Sequence, residues 1–323
     1  MILALDRVED TLAAIRSALD QSGIARHVTV LDQGSQPAHL EQLAAAIADR
    51  ADVSLLCAHT NLGVALGRNR ASGFGHGRVI VALDNDAVFA TTGTVAGLVA
   101  AFDRDPALAA VGCRIVRFDD GADDLSSWGY PPALLPLSAG SFPTATFVGA
   151  GHAIRRAAWD TAGGYDPALF FCWEEFDFCL RIIAMGWQIA YRGDLVVRHK
   201  VAAEHRVAWP ERRWYQFVRN RLYIGRKYGD SWPRLLPRIA LYAVKGAWNG
   251  LTWQTLKAIM AAVVMARMVR PRSLPITAVA YVDRCDGAYR GSWHQRLRRE
   301  VLVSLDYPTT RPESAPAAKR HPA

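Results

Sequence analysis

Up to about residue 200, short runs of consecutive apolar residues alternate with longer stretches whose apolar positions recur every three to four residues. Uninterrupted runs read as strands buried on both faces. The three-to-four spacing reads as helices with one face turned inward. The predicted strands are 1–5, 27–31, 53–57, 78–83 and 109–118. Between them lie predicted helices at 9–21, with Leu12, Ile15, Ala18 and Leu19 on one face, and at 38–50, 62–74 and 92–103. Strand and helix alternating at this spacing imply an α/β fold, a mostly parallel sheet flanked by helices on both faces.

The rhythm breaks at 119–147, a stretch rich in Asp, Ser, Gly and Pro that also carries Trp128 and Tyr130. A loop this long in a compact domain is usually functional or mobile. After it come an apolar stretch at 153–159, a Gly-Gly-Tyr-Asp-Pro turn at 163–167, a helix at 176–185, strands near 188–191 and 195–198, and a basic helix at 214–228. Residues 237–270 form a long apolar helical region. On a wheel of about 100° per residue, Arg238, Lys245, Asn249, Thr252, Arg267 and Arg270 fall within about 60° of one another. The remaining circumference is apolar apart from Gln254 and Lys257 and includes Trp248 and Trp253, while Gly246 and Gly250 are places where the helix can break. Such a segment fits a helix lying in a membrane interface, or one packed on the first half of the chain with its basic stripe in solvent. The Pro- and Ala-rich segment 308–323 reads as a disordered tail.

Composition narrows the classes. The chain has 323 residues, 51% of them hydrophobic and 21% charged, which excludes a disordered or collagen-like protein. Cys57, Cys113, Cys172, Cys179 and Cys285 are scattered without a CxxC pair, against both a disulfide scaffold and a cysteine zinc site. Reduced thiols in a cytoplasmic compartment are expected. Asp6, Arg7, Glu9 and Asp10 interrupt any signal-peptide run, and no uncharged apolar stretch reaches the ~20 residues of a spanning helix. The net charge of +8 is divided unevenly: residues 1–197 hold 14 Lys and Arg against 22 Asp and Glu, and residues 198–323 hold 24 against 8. A half with a net charge of +16 points to a polyanionic partner such as an anionic membrane surface, phosphates or nucleic acid. No nucleic-acid motif accompanies the charge, so nucleic acid is not expected.

Candidate chemistry lies in three acidic clusters. Asp32-Gln33-Gly34-Ser35 and Asp84-Asn85-Asp86 follow predicted strands, and Glu174-Glu175-Phe176-Asp177 opens a helix. In parallel α/β sheets, ligands bind beyond the carboxyl ends of the strands. Two carboxylates two residues apart in a turn, Asp84 and Asp86, can both reach one hard divalent cation. Such a cation bridges the oxygens of a diphosphate and stabilises the charge that builds on a phosphate leaving group.

These clusters belong to an ordered series. It runs through Asp32-Gln33-Gly34-Ser35, Asn61-Leu62-Gly63 with Gly67-Arg68-Asn69, and Leu83-Asp84-Asn85-Asp86. It continues through Gly149-Ala150-Gly151 with Arg155-Arg156, Gly163-Gly164-Tyr165-Asp166, Trp173-Glu174-Glu175-Phe176-Asp177 with Leu180-Arg181, and His199. The series resembles the family 2 glycosyltransferases, inverting enzymes of GT-A fold, and especially their rhamnosyltransferase-like branch, over about residues 1–230. The resemblance implies a transferase domain at 1–230, a helical basic extension at 231–306 and a tail at 307–323.

It also implies roles. Asp32 would bind the nucleobase or ribose of a nucleotide-sugar donor, with Asn61, Gly63, Arg68 and Asp84 also on the donor. Gly149 and Gly151 would let backbone approach the donor sugar. Asp84, Asp86 and His199 would hold Mn²⁺ or Mg²⁺. Within the acidic motif of Glu174, Glu175 and Asp177, the base falls on Glu175, where the family usually has Asp. One base and one metal site suffice for inverting transfer, whereas a hydrolytic glycosidase would need two carboxylates flanking the bond. The implied setting is bacterial surface polysaccharide or glycolipid synthesis. The acceptor would be lipid-linked or a polysaccharide, and the enzyme cytoplasmic or peripheral on the inner face of the cell membrane.

Plainer readings stand beside these. Arg155 and Arg156 read as solvated charges, Trp128 and Trp173 as packing residues, and Asn61, Gly63 and Gly67 as a turn that begins a helix. The rival function is a non-catalytic basic protein, bound to membrane or nucleic acid, with a decayed transferase domain. A short first strand favours it, and intact acidic clusters oppose it.

Overall fold

Four short apolar runs near the start of the chain become neighbouring parallel strands, as their lack of polar interruption predicts. They are β1 (Ile2–Ala4), β2 (Val28–Asp32), β3 (Val53–Cys57) and β4 (Val79–Asp84), side by side in the order β3-β2-β1-β4. The helices between them are α1 (Val8–Leu19), α2 (Pro37–Ile47) and α3 (Gly63–Ser72). The computed structural model describes residues 1–200 and 212–291. The predicted tail at 308–323 and the end of the predicted extension lie outside the described residues.

Beyond β4 the chain adds β5 (Ala87–Phe89), α4 (Thr94–Arg104), β6 (Leu108–Arg117), β7 (Ser141–Pro143), β8 (Gly151–Arg155), α5 (Arg156–Ala162), α6 (Glu174–Ala184) and β9 (Gln188–His199). The sheet continues β4-β8-β6-β9-β5, with β7 also on β9. β8 runs antiparallel to both β4 and β6, so the sheet is parallel in its first half and mixed in its second. β5 and β7 have three residues each, too few to leave a periodic signal. The two strands predicted near 188–191 and 195–198 are one strand, β9. Its register against β6 slips between Cys113 and Arg114, the mark of a bulge.

Helices cover both faces, as expected. On one face Ile15 of α1, Leu43 of α2 and Leu98 and Phe102 of α4 pack on the strands. On the other, Ala65 of α3, Trp159 of α5, and Phe178 and Ile182 of α6 do so. The long 119–147 loop is packed: Trp128, Tyr130, Phe142 and Tyr191 form an aromatic cluster with ring centroids as close as 4.5 Å. Trp128 is therefore a packing residue.

The second half is helical: α7 (Trp214–Lys227), α8 (Trp232–Trp248), α9 (Thr252–Arg267) and α10 (Ile276–Cys285). Trp214, Val218 and Leu222 of α7 share a separate core with Leu235, Tyr242, Ala258 and Ala262 of α8 and α9. α10 returns to the sheet, where the buried Tyr281 hydroxyl accepts from Ile189 N at 2.9 Å and donates to Thr144 O at 3.1 Å. Residues 237–270 do not form the one continuous helix expected. Residues 249–251 interrupt the helix, with Gly250 left-handed at φ 70°, so the two halves do not share one face.

Candidate active site

The turn after β4 leads into β5, which pairs with β9 and so links the carboxyl ends of β4 and β9. Asp84 ends β4, and its N–H donates to Ala150 O at 3.1 Å. After the Asn85-Asp86 turn, β5 pairs antiparallel with β9 and sets Ala87 opposite His199. Imidazole Nε2 of His199 then lies 3.4 Å from Asp86 Oδ1. One ligand atom from each of Asp84, Asp86 and His199 lies within 4.8 Å of the others. The sequence thus named three residues, two of them 113 or more positions from the third, that the fold brings together.

The other nitrogen of His199, Nδ1, faces Asp124 Oδ2 at 3.1 Å. Asp124 is buried in the 119–147 loop, where the Ser126 and Ser127 hydroxyls donate to it. Burial alone would lower the His199 pKa, but the Asp124 and Asp86 carboxylates outweigh it and push it up to about 10. A carboxylate on the far side of a ligating histidine fixes ring orientation and strengthens the ligand. Two carboxylates and one such imidazole suit a divalent cation of the Mn²⁺ type.

Two arginines neutralise the carboxylates. Arg7 Nη1 donates to Asp86 Oδ2 at 2.7 Å, and Arg68 Nη2 donates to Asp84 Oδ1 at 2.7 Å. Arg68 is 2% exposed, and its Nε and Nη1 are buried without a partner among the described residues. A buried guanidinium with unmet donors suits an anionic ligand. Arg68 Nη2 also donates to Gly149 O at 2.9 Å. Gly149 in turn lies against Glu175: a Cβ at 149 would sit 2.4 Å from Glu175 Oε1. Only glycine permits that approach.

Glu174 and Glu175 occupy the first turn of α6. Burial and then the Glu175 charge push Glu174 well above the ordinary carboxyl range, and its Oε2 is buried with no partner among the described residues. Burial also raises Glu175, with Arg68 partly offsetting it. A raised pKa makes the ionised carboxylate a stronger base.

The turn that aims these side chains is strained. Phe170, Cys172 and Trp173 take positive φ of 39°, 70° and 73°, a region non-glycine residues avoid. Asn220 of α7, fully buried, holds them: its Nδ2 lies 2.7, 2.9 and 2.8 Å from the carbonyl oxygens of Leu169, Phe171 and Cys172. Trp173 Nε1 donates to Phe217 O at 3.1 Å, so Trp173 is also a packing residue. Phe170 O accepts from Val64 N at 2.6 Å at the start of α3. Gly63 is left-handed there, and a Cβ would come within 2.4 Å of Phe170 O. Asn220→Ala leaves three carbonyls, that of Leu169 buried and those of Phe171 and Cys172 partly so, without that amide. We expect a loss of about 1–3 kcal/mol, read as a lower midpoint in urea.

The remaining predicted residues hold other positions. Asp32 ends β2 at the same sheet edge but is fully buried, accepting from Gly34 N at 3.0 Å, Ser35 N at 3.2 Å and the Ser35 hydroxyl. Asn61 Oδ1 accepts from Gly63 N at 2.8 Å, the turn expected at a helix start. Gly151 begins β8 against the Val197 side chain. Asp177 is not with the other acids: it is buried between Lys227 at 2.7 Å, Arg181 at 3.0 Å and the Tyr228 hydroxyl at 3.0 Å, an ion cluster joining α6 to α7. Arg155 and Arg156 are bound, not solvated. Arg155 donates to the carbonyls of Phe102, Asp105 and Leu108, and Arg156 to those of Ser72 and Gly77. Arg7, Asp124 and Asn220 escaped the sequence reading, since each matters through a partner between 48 and 79 positions away.

Comparison with known proteins follows this geometry. The solved structures that resemble the chain include the mannosyltransferase PcManGT from Pyrobaculum calidifontis, in complex with GDP-Man and Mn²⁺. It is 21% identical, with a TM-score of 0.55 over 93% of this chain and 83% of that one. GalNAc-T7 with UDP, GalNAc and Mn²⁺ is 15% identical, with a TM-score of 0.62 over 89% of this chain; the match spans 57% of the GalNAc-T7 chain. S. aureus TarS 1–349 in complex with UDP-GlcNAc is 13% identical, with a TM-score of 0.57 over 91% of this chain and 90% of that one. At these identities the likeness is one of fold. No curated protein matches the sequence. The family model for glycosyl transferase family 2 matches residues 1–162, half of the chain, including strands β1 to β4 and the Asp84-Asn85-Asp86 turn, and the chain belongs to that family.

Proposed function

We propose that the protein transfers a sugar, a hexose or rhamnose, from a nucleoside-diphosphate donor to an acceptor hydroxyl with inversion at the anomeric carbon. The observation that carries this reading is the joining of two groups through Arg68. Asp84, Asp86 and His199 form a ligand set, and Arg68 links Asp84 to Gly149, against which Glu175 is pressed. Asp84, Asp86 and His199 would hold a divalent cation, Mn²⁺ or Mg²⁺, which when bound neutralises charge on the donor diphosphate. PcManGT and GalNAc-T7, each solved with Mn²⁺, support that assignment.

In this reading Glu175 takes the proton from the acceptor hydroxyl as its oxygen attacks the anomeric carbon. The nucleoside diphosphate leaves from the opposite face, so the configuration inverts. Arg68, with unmet donors, is placed to bind the departing anion, which then needs no acid. Buried Glu174, whose neutral form burial favours, shapes the site around Glu175. Asp32, Asn61, Gly63, Gly149 and Gly151 belong to the donor side, Asp32 through the loop it braces. Asp177 is assigned to holding α6 on α7.

The division at about residue 230 belongs to the same proposal, with the transferase before it and a basic helical extension after it. So do a lipid-linked or polysaccharide acceptor, a role in surface polysaccharide or glycolipid synthesis, and a place at the cytoplasmic membrane face. The charge of residues 198–323 supports that placement. Among the described residues no helix is long and apolar enough to cross a membrane. The test is release of free nucleoside diphosphate from a panel of UDP-, dTDP- and GDP-sugars with Mn²⁺. Release from one donor class, lost on chelation, is expected. A folded protein that neither binds nor turns over any of them would overturn the reading.

A further inference from the structure

The helices after residue 230 carry a surface the transferase reaction does not use. α8 and α9 form a hairpin whose inner sides, Leu235, Tyr242, Ala258 and Ala262, pack with α7. Their outer sides are also apolar. Leu236, Val244 and Trp248 lie four or eight residues apart along α8 and are 58%, 52% and 80% exposed. Leu256, Met260 and Val264, four residues apart along α9, are 49%, 61% and 57% exposed, and Trp253 near its start is 60% exposed. Residues spaced by four share a helix face, so each helix presents an unbroken outward ridge. The two tryptophans flank the turn at 249–251. Contiguous apolar surface of this kind marks an interaction site.

The charge around the ridge has one sign. Residues 231–282 contain seven Lys and Arg and no Asp or Glu. Arg234, Lys257, Arg267, Arg270 and Arg272 are exposed, and none forms an ion pair with another described residue. Lys257 Nζ lies 5.0 Å above the Trp253 ring, so a cation and an indole share one level at the hairpin tip.

We propose that the α8–α9 hairpin docks on an anionic lipid bilayer, lying in the headgroup interface with Trp248 and Trp253 as its anchors. The chemistry selects this occupant. A second copy meeting ridge to ridge would bring like charges together, and a nucleic acid would meet the cations but leave the ridge bare. A bilayer offers both an anionic surface and an apolar layer beneath it. At 17 and 16 residues, α8 and α9 are shorter than the ~20 residues of a span, and tryptophan favours the interface. The proposal rests on the transferase reading only for its purpose, holding the site near a lipid-linked acceptor; the binding itself does not require that activity.

The experiment is co-sedimentation of the full chain with phosphatidylcholine vesicles and with vesicles that also contain phosphatidylglycerol, at low and high salt, alongside donor turnover in solution. Binding to the anionic vesicles is expected, weakened by salt through the cations yet retained in part through the ridge. Trp248→Ser with Trp253→Ser should weaken binding about tenfold or more, and Leu236→Gln with Met260→Gln likewise. Thermal melts and donor turnover in solution should stay at wild-type values. Wild-type protein left in the supernatant at low salt overturns the proposal, as does undiminished binding by both double variants. Concentration-dependent self-association that the tryptophan variant abolishes, without vesicle binding, assigns the ridge to a contact between copies and also overturns it. Vesicle binding without turnover of any donor keeps the docking surface and discards the transferase reading.

Discussion

Glu175→Gln should lower kcat by on the order of 10²–10⁴, the usual contribution of a positioned general base, with donor affinity nearly unchanged. Glutamine keeps the shape that fits against Gly149 but cannot accept the acceptor proton. Single-turnover assays with saturating donor and calorimetry of donor binding separate the two quantities. Glu174→Gln is the control. Because burial and the neighbouring charge favour the neutral form of Glu174, the amide should be tolerated far better there. Loss of turnover on Glu174→Gln but not on Glu175→Gln would move the base by one residue.

Asp86→Ala should weaken Mn²⁺ binding by more than the roughly 10–100-fold that follows loss of even an outer partner of a metal ligand. Donor binding should then lose its dependence on metal. Titration calorimetry with Mn²⁺ alone, then with UDP-, dTDP- and GDP-sugars with and without Mn²⁺, measures both. Asp124→Asn is the finer probe, since Asp124 reaches the site through His199 Nδ1 at 3.1 Å. It should fall within that 10–100-fold range. Equal affinities for wild type and Asp86→Ala in the presence of metal would remove Asp86 from the ligand set.

Much of this architecture was legible because its signals are local. Residues 28–32 are buried at all five positions, and a short β-branched, mostly apolar run of that kind reads as an inner strand. The Asp84-Asn85-Asp86 turn stood out because it follows another such run. The antiparallel insertion of β8 between β4 and β6 was not legible. Strand direction depends on where the chain goes after a loop, and periodicity carries no sign of it. The same limit hid Asp124. Nothing near it in sequence distinguishes it from the other aspartates of its loop, and its importance arises only when β9 brings His199 alongside. Asp177 shows the opposite failure. It sits in the acidic motif two residues from Glu175, but a helix turns about 200° over two residues, which sends it to Lys227 and Arg181 instead of the cleft. For the region 237–270 the composition was right and the geometry was not, because a left-handed Gly250 resets the helical phase.

With Glu175 as the proposed base, the positive-φ turn at Phe170, Cys172 and Trp173 sets robustness and turnover against each other. Each such residue costs on the order of 1–3 kcal/mol, so selection for thermal tolerance alone would favour glycine at these positions. Glycine would relax the backbone, yet it would also free the first turn of α6 to drift, and with it the carboxylate pressed against Gly149. The three bulky residues therefore read as rigidity retained at the expense of stability. Efforts to harden the enzyme belong on surfaces away from this turn, where added stability does not loosen the aim of Glu175.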